Sequence, residues 1–138
     1  MCGAVEFTVA GVSNEFGTCY CDACRKWASL GFMSTAADLN NMNIRNVDSI
    51  QVIDSSAWAD RSFCGTCGSP LWYRMKGEDG KATAIYLSVG LLDDISDMSL
   101  TLELYIDKKP KFLGPAVAPK TMTEAEIQAA FAPGNAET

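Results

Sequence analysis

Five of the six cysteines fall in two short runs, Cys19-Tyr20-Cys21-Asp22-Ala23-Cys24 and Cys64-Gly65-Thr66-Cys67, in a chain that contains no histidine. Thiolate is then the strong soft ligand this chain can offer a metal, and the spacing suits zinc. A Cys-x-x-Cys turn lets two sulfurs converge on one tetrahedral ion while the backbone stays in a tight knuckle. The run of Cys19, Cys21 and Cys24 delivers three sulfurs, which leaves one position of a tetrahedron open unless a remote group fills it. An open position is what a catalytic zinc needs. Two alternatives stand beside this: a purely structural site, and a four-cysteine ribbon of Cys21, Cys24, Cys64 and Cys67 that strands Cys2 and Cys19.

With 138 residues and 48% hydrophobic composition, the chain is expected to form a single domain spanning residues 1–138. A formal net charge of -6 argues against a nucleic-acid or anionic-membrane surface, because binding phosphate arrays relies on clustered Lys and Arg. At most, Arg25, Lys26, Arg61 and Arg74 make a local positive spot near the cysteine runs. No apolar run approaches the roughly 20 residues needed to span a bilayer. Met1-Cys2-Gly3 leads into strand-like residues without a basic or apolar leader, so the expected location is cytoplasmic. In that reducing compartment, clustered cysteines favour metal or redox chemistry over structural disulfides.

Alternation of apolar and polar residues predicts strands over residues 4–9, with Val5, Phe7 and Val9 on one side, and over residues 15–20. Cys19 and Cys21, two apart in extended chain, face the same way. Asp22 to Ala28 reads as a short helix that swings Cys24 back toward them. Further strands are expected over 31–35, 49–53, 58–63, 70–75, 82–89 and 99–106. Of these, 49–53 pairs with 58–63, and 70–75 with 82–89, as hairpins. Residues 36–48, rich in Asp and Asn, read as a loop with one helical turn. Gly65 and Gly68 suit a backbone that bends sharply around an ion. Thr83, Ile85, Leu87 and Val89 are expected to face the core, as is the stripe of Leu100, Leu102, Leu104 and Ile106. Thr123 and Glu126 make a capping box for a helix ended by Pro133-Gly134. The small polar residues after it are expected to be disordered. The pattern is that of a mainly antiparallel β domain.

These motifs, in this order, resemble the glutathione-dependent formaldehyde-activating enzyme family, also called the CENP-V/GFA domain. The residues that carry the resemblance are Cys2-Gly3-Ala4-Val5, Cys19-Tyr20-Cys21-Asp22-Ala23-Cys24-Arg25-Lys26, Phe63-Cys64-Gly65-Thr66-Cys67-Gly68-Ser69-Pro70-Leu71 and Val89-Gly90-Leu91-Leu92-Asp93-Asp94. It covers about residues 2–112, with a helical extension over about 121–132. The resemblance implies an Mss4-like β-tent of antiparallel sheets with zinc knuckles and up to two Zn²⁺ per chain. By that match, Cys2, Cys64 and Cys67 belong to a structural zinc, and Cys19, Cys21 and Cys24 to a catalytic one. The implied activity is that of a carbon-sulfur lyase joining glutathione, or another thiol, to formaldehyde or a similar small aldehyde. Small molecules are the implied partners, with no nucleic acid and no membrane.

The chain departs from the family pattern twice. The first Cys of the N-terminal Cys-x-Cys falls one position before Met1, so the expectation is a start placed too late, and partial zinc occupancy of that site. Tyr20 stands where the family often carries His, which counts against proton transfer by that side chain. Arg25 and Lys26 are candidates to hold a glutathione carboxylate, against the alternative of solvated charges. Trp27, Trp58, Trp72 and Tyr73 line either a cleft or the core. Asp93 and Asp94 read as a loop, and Lys108-Lys109-Pro110-Lys111 as a solvated basic loop. The competing function is a zinc-stabilised binding or chaperone-like module with both sites closed. Methionine sulfoxide reductase B shares the broad fold, but its chemistry needs a reactive cysteine on a late strand, and none follows Cys67.

Overall fold

The computed structural model describes residues 1–77, 79 and 81–131, with the side chains of 82 and 83 left aside. The expected core position of Thr83, the Glu78 and Gly80 turn positions, and the Pro133-Gly134 stop with its tail lie outside what is described. The elements in chain order are β1 (Glu6–Val9), β2 (Glu15–Cys19), α1 (Asp22–Ala28), β3 (Phe32–Ala37), β4 (Met42–Arg45), β5 (Ile50–Ser56), β6 (Ala59–Cys64), β7 (Pro70–Lys76), β8 (Ala82–Ser88), β9 (Ser99–Leu104), β10 (Lys120–Met122) and α2 (Glu124–Phe131). Short 3-10 turns link several of them. The chain is mainly β, as its alternation predicts, and neither helix is long and apolar enough to cross a membrane. It divides into two compact units: residues 1–14 with 34–97, and residues 15–33 with 98 onward.

In the first unit β3, β8, β7, β6 and β5 are hydrogen-bonded in that order, each pair antiparallel. Both expected hairpins are present. Ile85 and Leu87 are fully buried and pack with Leu71 and Trp72, while Phe7, Ile44 and Ile50 cover them. The Phe7 ring meets Trp72 edge-on, with centroids 6.2 Å apart. Burying a side chain of this size stabilises by about 1.5–3 kcal/mol, so these few residues carry much of the unit. Residues 42–45, expected to be loop, instead form β4, which pairs antiparallel with β1. Met42 and Ile44 alternate inward against the same core, and that burial outweighs the turn preference of the neighbouring Asn residues. Trp72 is buried, but Trp58 lies 62% exposed at the β5–β6 turn and belongs neither to core nor to a cleft. The positive spot is also reduced: Arg61 is buried, and Arg74 is bonded to both oxygens of the buried Asp60 carboxylate.

The second unit is built differently. β2, β9 and β10 pair parallel, with β9 in the middle and Cys19 opposite Leu104. β9, with a strand on each side, buries its two faces unequally. The leucine stripe is only partly buried, whereas Glu103 on the other face is fully buried. The basic cluster is corrected in the same way. The Lys109 side chain is 8% exposed and bonds Glu103 at 2.8 Å, because a carboxylate in the sheet interior needs a partner. Lys108 bonds Glu124 at 2.9 Å and Asp22 at 3.4 Å. At α2 the capping box closes as expected: the Thr123 N–H donates to Glu126 at 2.7 Å, and the Glu126 N–H to Thr123 Oγ1 at 3.3 Å.

Candidate functional site

Each unit holds three cysteines whose sulfur atoms lie within 4.8 Å of one another: Cys2, Cys64 and Cys67 in the first, Cys19, Cys21 and Cys24 in the second. Cys21 and Cys24 thus converge with Cys19, and Cys64 and Cys67 with Cys2, a grouping that a four-cysteine ribbon does not have. No free cysteine is bridged to another.

In the second unit, local structure sets the geometry. Cys19 ends β2, Cys21 caps the first turn of α1, and Cys24 is buried one turn later. The Cys24 N–H donates to Cys21 Sγ at 3.4 Å, which folds the three sulfurs onto one point. Proton ownership among them is unequal. The Cys21 thiol is pulled down to about 2, because the Cys19 and Cys24 thiols and then the Cys24 and Ala23 N–H groups all donate to it. Cys19 is pushed up as the donor to Cys21 and Cys24, and burial adds to that. One negative charge therefore settles on Cys21 while its neighbours bond to it, a donor set ready for a cation.

Tyr20, between the first two cysteines, faces the other way. It is 7% exposed, and its hydroxyl donates to Glu103 at 3.0 Å. Arg25 and Lys26 lie exposed in the last turn of α1, and Arg25 pairs with Asp22 at 3.7 Å. Tyr105 is a residue of this site that sequence reasoning missed. Burial and then the charges of Cys21 and Cys19 push its phenol up. Lys108 lies 5.6 Å from its ring centre. The sequence carried no signal for it, because the alternation runs on through Ile106, and Tyr105 comes to notice only once the strand is seen to end at Leu104 opposite Cys19.

In the first unit, Cys2 Sγ lies 3.7 Å from Cys64 Sγ. A tetrahedral zinc with bonds of about 2.3 Å sets its sulfurs about 3.8 Å apart, so this pair already has the required separation. The knuckle is shaped by its glycines: Gly68 has φ +76, and a Cβ on Gly65 would meet Gln51 Cγ at 2.9 Å. Ser69, through its hydroxyl and then its N–H, lowers the Cys67 thiol to about 6. A cavity of about 710 Å³ beside this triad is lined by Phe7, Thr8, Asn43, Arg45 and Leu91 among others. Arg45 pairs there with Glu6 at 3.1 Å. Both triads fit zinc in donor chemistry, with all three sulfurs of each within 4.8 Å of one another. Asp93 and Asp94 are exposed, and Asp94 accepts from the Ser96 N–H and hydroxyl as a loop residue does.

A family model described as glutathione-dependent formaldehyde-activating enzyme matches residues 1–108. An uncharacterised lyase of Schizosaccharomyces pombe is 24% identical over 110 residues, covering 80% of this chain and 77% of the relative. A solved Rhodobacter sphaeroides protein aligns with a TM-score of 0.54 at 19% identity, over 88% of this chain and 94% of that one. At that identity, the likeness speaks for the fold alone.

Proposed function

Because the chain belongs to the glutathione-dependent formaldehyde-activating enzyme family, we propose that it is a lyase-type enzyme joining a glutathione-like thiol to a small aldehyde at Cys19, Cys21 and Cys24. The observation that carries this reading is the convergence of these three thiols, with no fourth His, Cys, Asp or Glu ligand grouped with them among the described residues. Zinc held there by three thiolates supplies a mild Lewis acid with preference for a soft fourth ligand, which suits a substrate thiol in its thiolate form. The chain's own part is positioning: β2 and the start of α1 hold the sulfurs together, and Arg25 and Lys26 offer charge for a thiol substrate's carboxylate. Cys2, Cys64 and Cys67 hold the structural zinc in this reading, and residues 1–138 act as one zinc domain.

The bonds balance without a redox partner. The thiolate sulfur forms a C–S bond to the carbonyl carbon, and the carbonyl π pair moves to oxygen. That oxygen regains from water the proton that the thiol released. Proximity accounts for most of the gain.

Exchange NMR with ¹³C-formaldehyde and glutathione tests this directly. Zinc-loaded protein is expected to raise the exchange rate between free aldehyde and S-hydroxymethyl adduct while leaving the equilibrium unchanged. An unchanged rate with both zincs tightly held overturns the reading in favour of a zinc-stabilised binding module.

A further inference from the structure

Tyr105 occupies a position that regular strand geometry would not give it. β2 and β9 run parallel with Cys19 opposite Leu104, and the Tyr20 N–H donates to the Leu104 carbonyl at 3.0 Å. Had β9 continued, alternation would have turned Tyr105 to the face where Tyr20 and Glu103 are bonded. The backbone instead takes φ 56, ψ 48 at Tyr105, a left-handed conformation that residues other than glycine and asparagine seldom adopt. Such conformations cost on the order of 1–3 kcal/mol and cluster at functional sites.

The surroundings point in the same direction. Lys108 lies over the Tyr105 ring at 5.6 Å and bonds Asp22, the residue that follows Cys21. The second bond of Lys108, to Glu124, fixes it from the side of α2. Among the described residues the Tyr105 hydroxyl takes no hydrogen-bond partner, whereas the Tyr20 hydroxyl is committed to Glu103. A phenol ordinarily keeps its proton up to about pH 10, so at neutral pH this hydroxyl is a hydrogen-bond donor.

We propose that Tyr105 donates a hydrogen bond to the aldehyde oxygen during thiol addition, a role that rests on the assignment of that reaction to Cys19, Cys21 and Cys24. As the sulfur lone pair forms the C–S bond, the carbonyl π pair collects on oxygen, and a fixed donor at that oxygen favours the transition state over the bound aldehyde. Tyr105 keeps its proton throughout. The thiol's proton goes to water, and the oxygen regains one from water. The donor serves the aldehyde oxygen, since no atom of the thiol substrate gains negative charge in the addition.

Tyr105→Phe separates this role from packing. Because the hydroxyl has no partner among the described residues, the variant is expected to keep the thermal midpoint, the zinc content and the calorimetric affinity for glutathione of the parent chain. Its exchange rate between formaldehyde and adduct is expected to fall roughly 100-fold, as for the loss of one oxyanion donor. The inference is overturned if zinc content or glutathione affinity falls along with the rate, which marks a structural role, or if the rate is unchanged. If the parent chain gives no exchange, the assignment of the reaction fails and this inference with it. An active parent beside an equally active Tyr105→Phe sinks the inference alone.

Discussion

The carboxylate of Glu103 and the ammonium of Lys109 lie 2.8 Å apart, the first fully buried and the second nearly so. Glu103 also accepts from the Tyr20 hydroxyl at 3.0 Å and from the Val117 and Ala118 N–H groups at 2.6 and 3.0 Å. Four donors on one carboxylate pin the chain between Cys19 and Cys21 to the segment that follows β9. The candidate site is therefore braced from behind by a buried polar network.

Removing Glu103 tests that brace. Burial by itself raises a carboxyl pKa, but Lys109, the Ala118 and Val117 N–H groups and the Tyr20 hydroxyl outweigh it and hold Glu103 down to about 2. Glu103→Leu leaves Lys109 buried without its counter-charge, and a loss of about 3–5 kcal/mol in urea unfolding is expected. With the folded value below the ordinary 4.5, the unfolded chain binds more protons between the two. Stability from this group is complete above about pH 4.5 and is lost as pH falls toward 2. Glu103→Gln is expected to flatten stability over that window, as followed by urea midpoints.

Gly65→Ala tests the first knuckle. The new methyl would approach Gln51 Cγ to 2.9 Å and the Ser49 carbonyl oxygen to 3.2 Å, the same oxygen that accepts the Gly65 N–H. Backbone must shift to admit it, and a destabilisation of about 1–3 kcal/mol is expected. Equal denaturation midpoints for the two chains would show that the knuckle has slack.

Ser69→Ala acts on the metal rather than on the fold. Ser69 lowers the Cys67 thiol to about 6 by donating to its sulfur. Without that donor the thiolate is more basic, so protons compete with the ion more effectively. Acid release of zinc, followed with a chromogenic chelator, is expected to begin at higher pH in Ser69→Ala than in the parent.

Cys24→Ser addresses the other triad. A hydroxyl is a poor zinc ligand where a thiolate was present, and the variant is expected to lose one zinc per chain by elemental analysis and to lose adduct exchange. Retention of both would remove Cys24 from the site.

Much of this molecule was legible in its sequence because the signals are local. α1 begins at Asp22 and ends at Ala28 as the pattern around the cysteines implies, and both hairpins follow from short loops between alternating runs. The network behind the site was not legible. Tyr20 and Glu103 are 83 residues apart, and nothing near Glu103 in the sequence marks it as other than the outward face of a leucine stripe. Lys109 read as solvated although Glu103 is only 6 residues upstream, because it is a parallel pairing, which leaves no turn signal, that puts Glu103 in the sheet interior. β4 was hidden by the Asn residues around it, although Met42 and Ile44 alternate, because its partner β1 lies far upstream.

The central claim is that Cys19, Cys21 and Cys24 hold zinc with one position available to a substrate thiol. X-ray absorption at the zinc edge, on zinc-loaded protein with and without glutathione, measures this most directly. The account predicts that the mean number of sulfur ligands per zinc rises on adding glutathione, with zinc content unchanged, and that S-methylglutathione gives no such rise. A sulfur count that stays the same with glutathione present would contradict it.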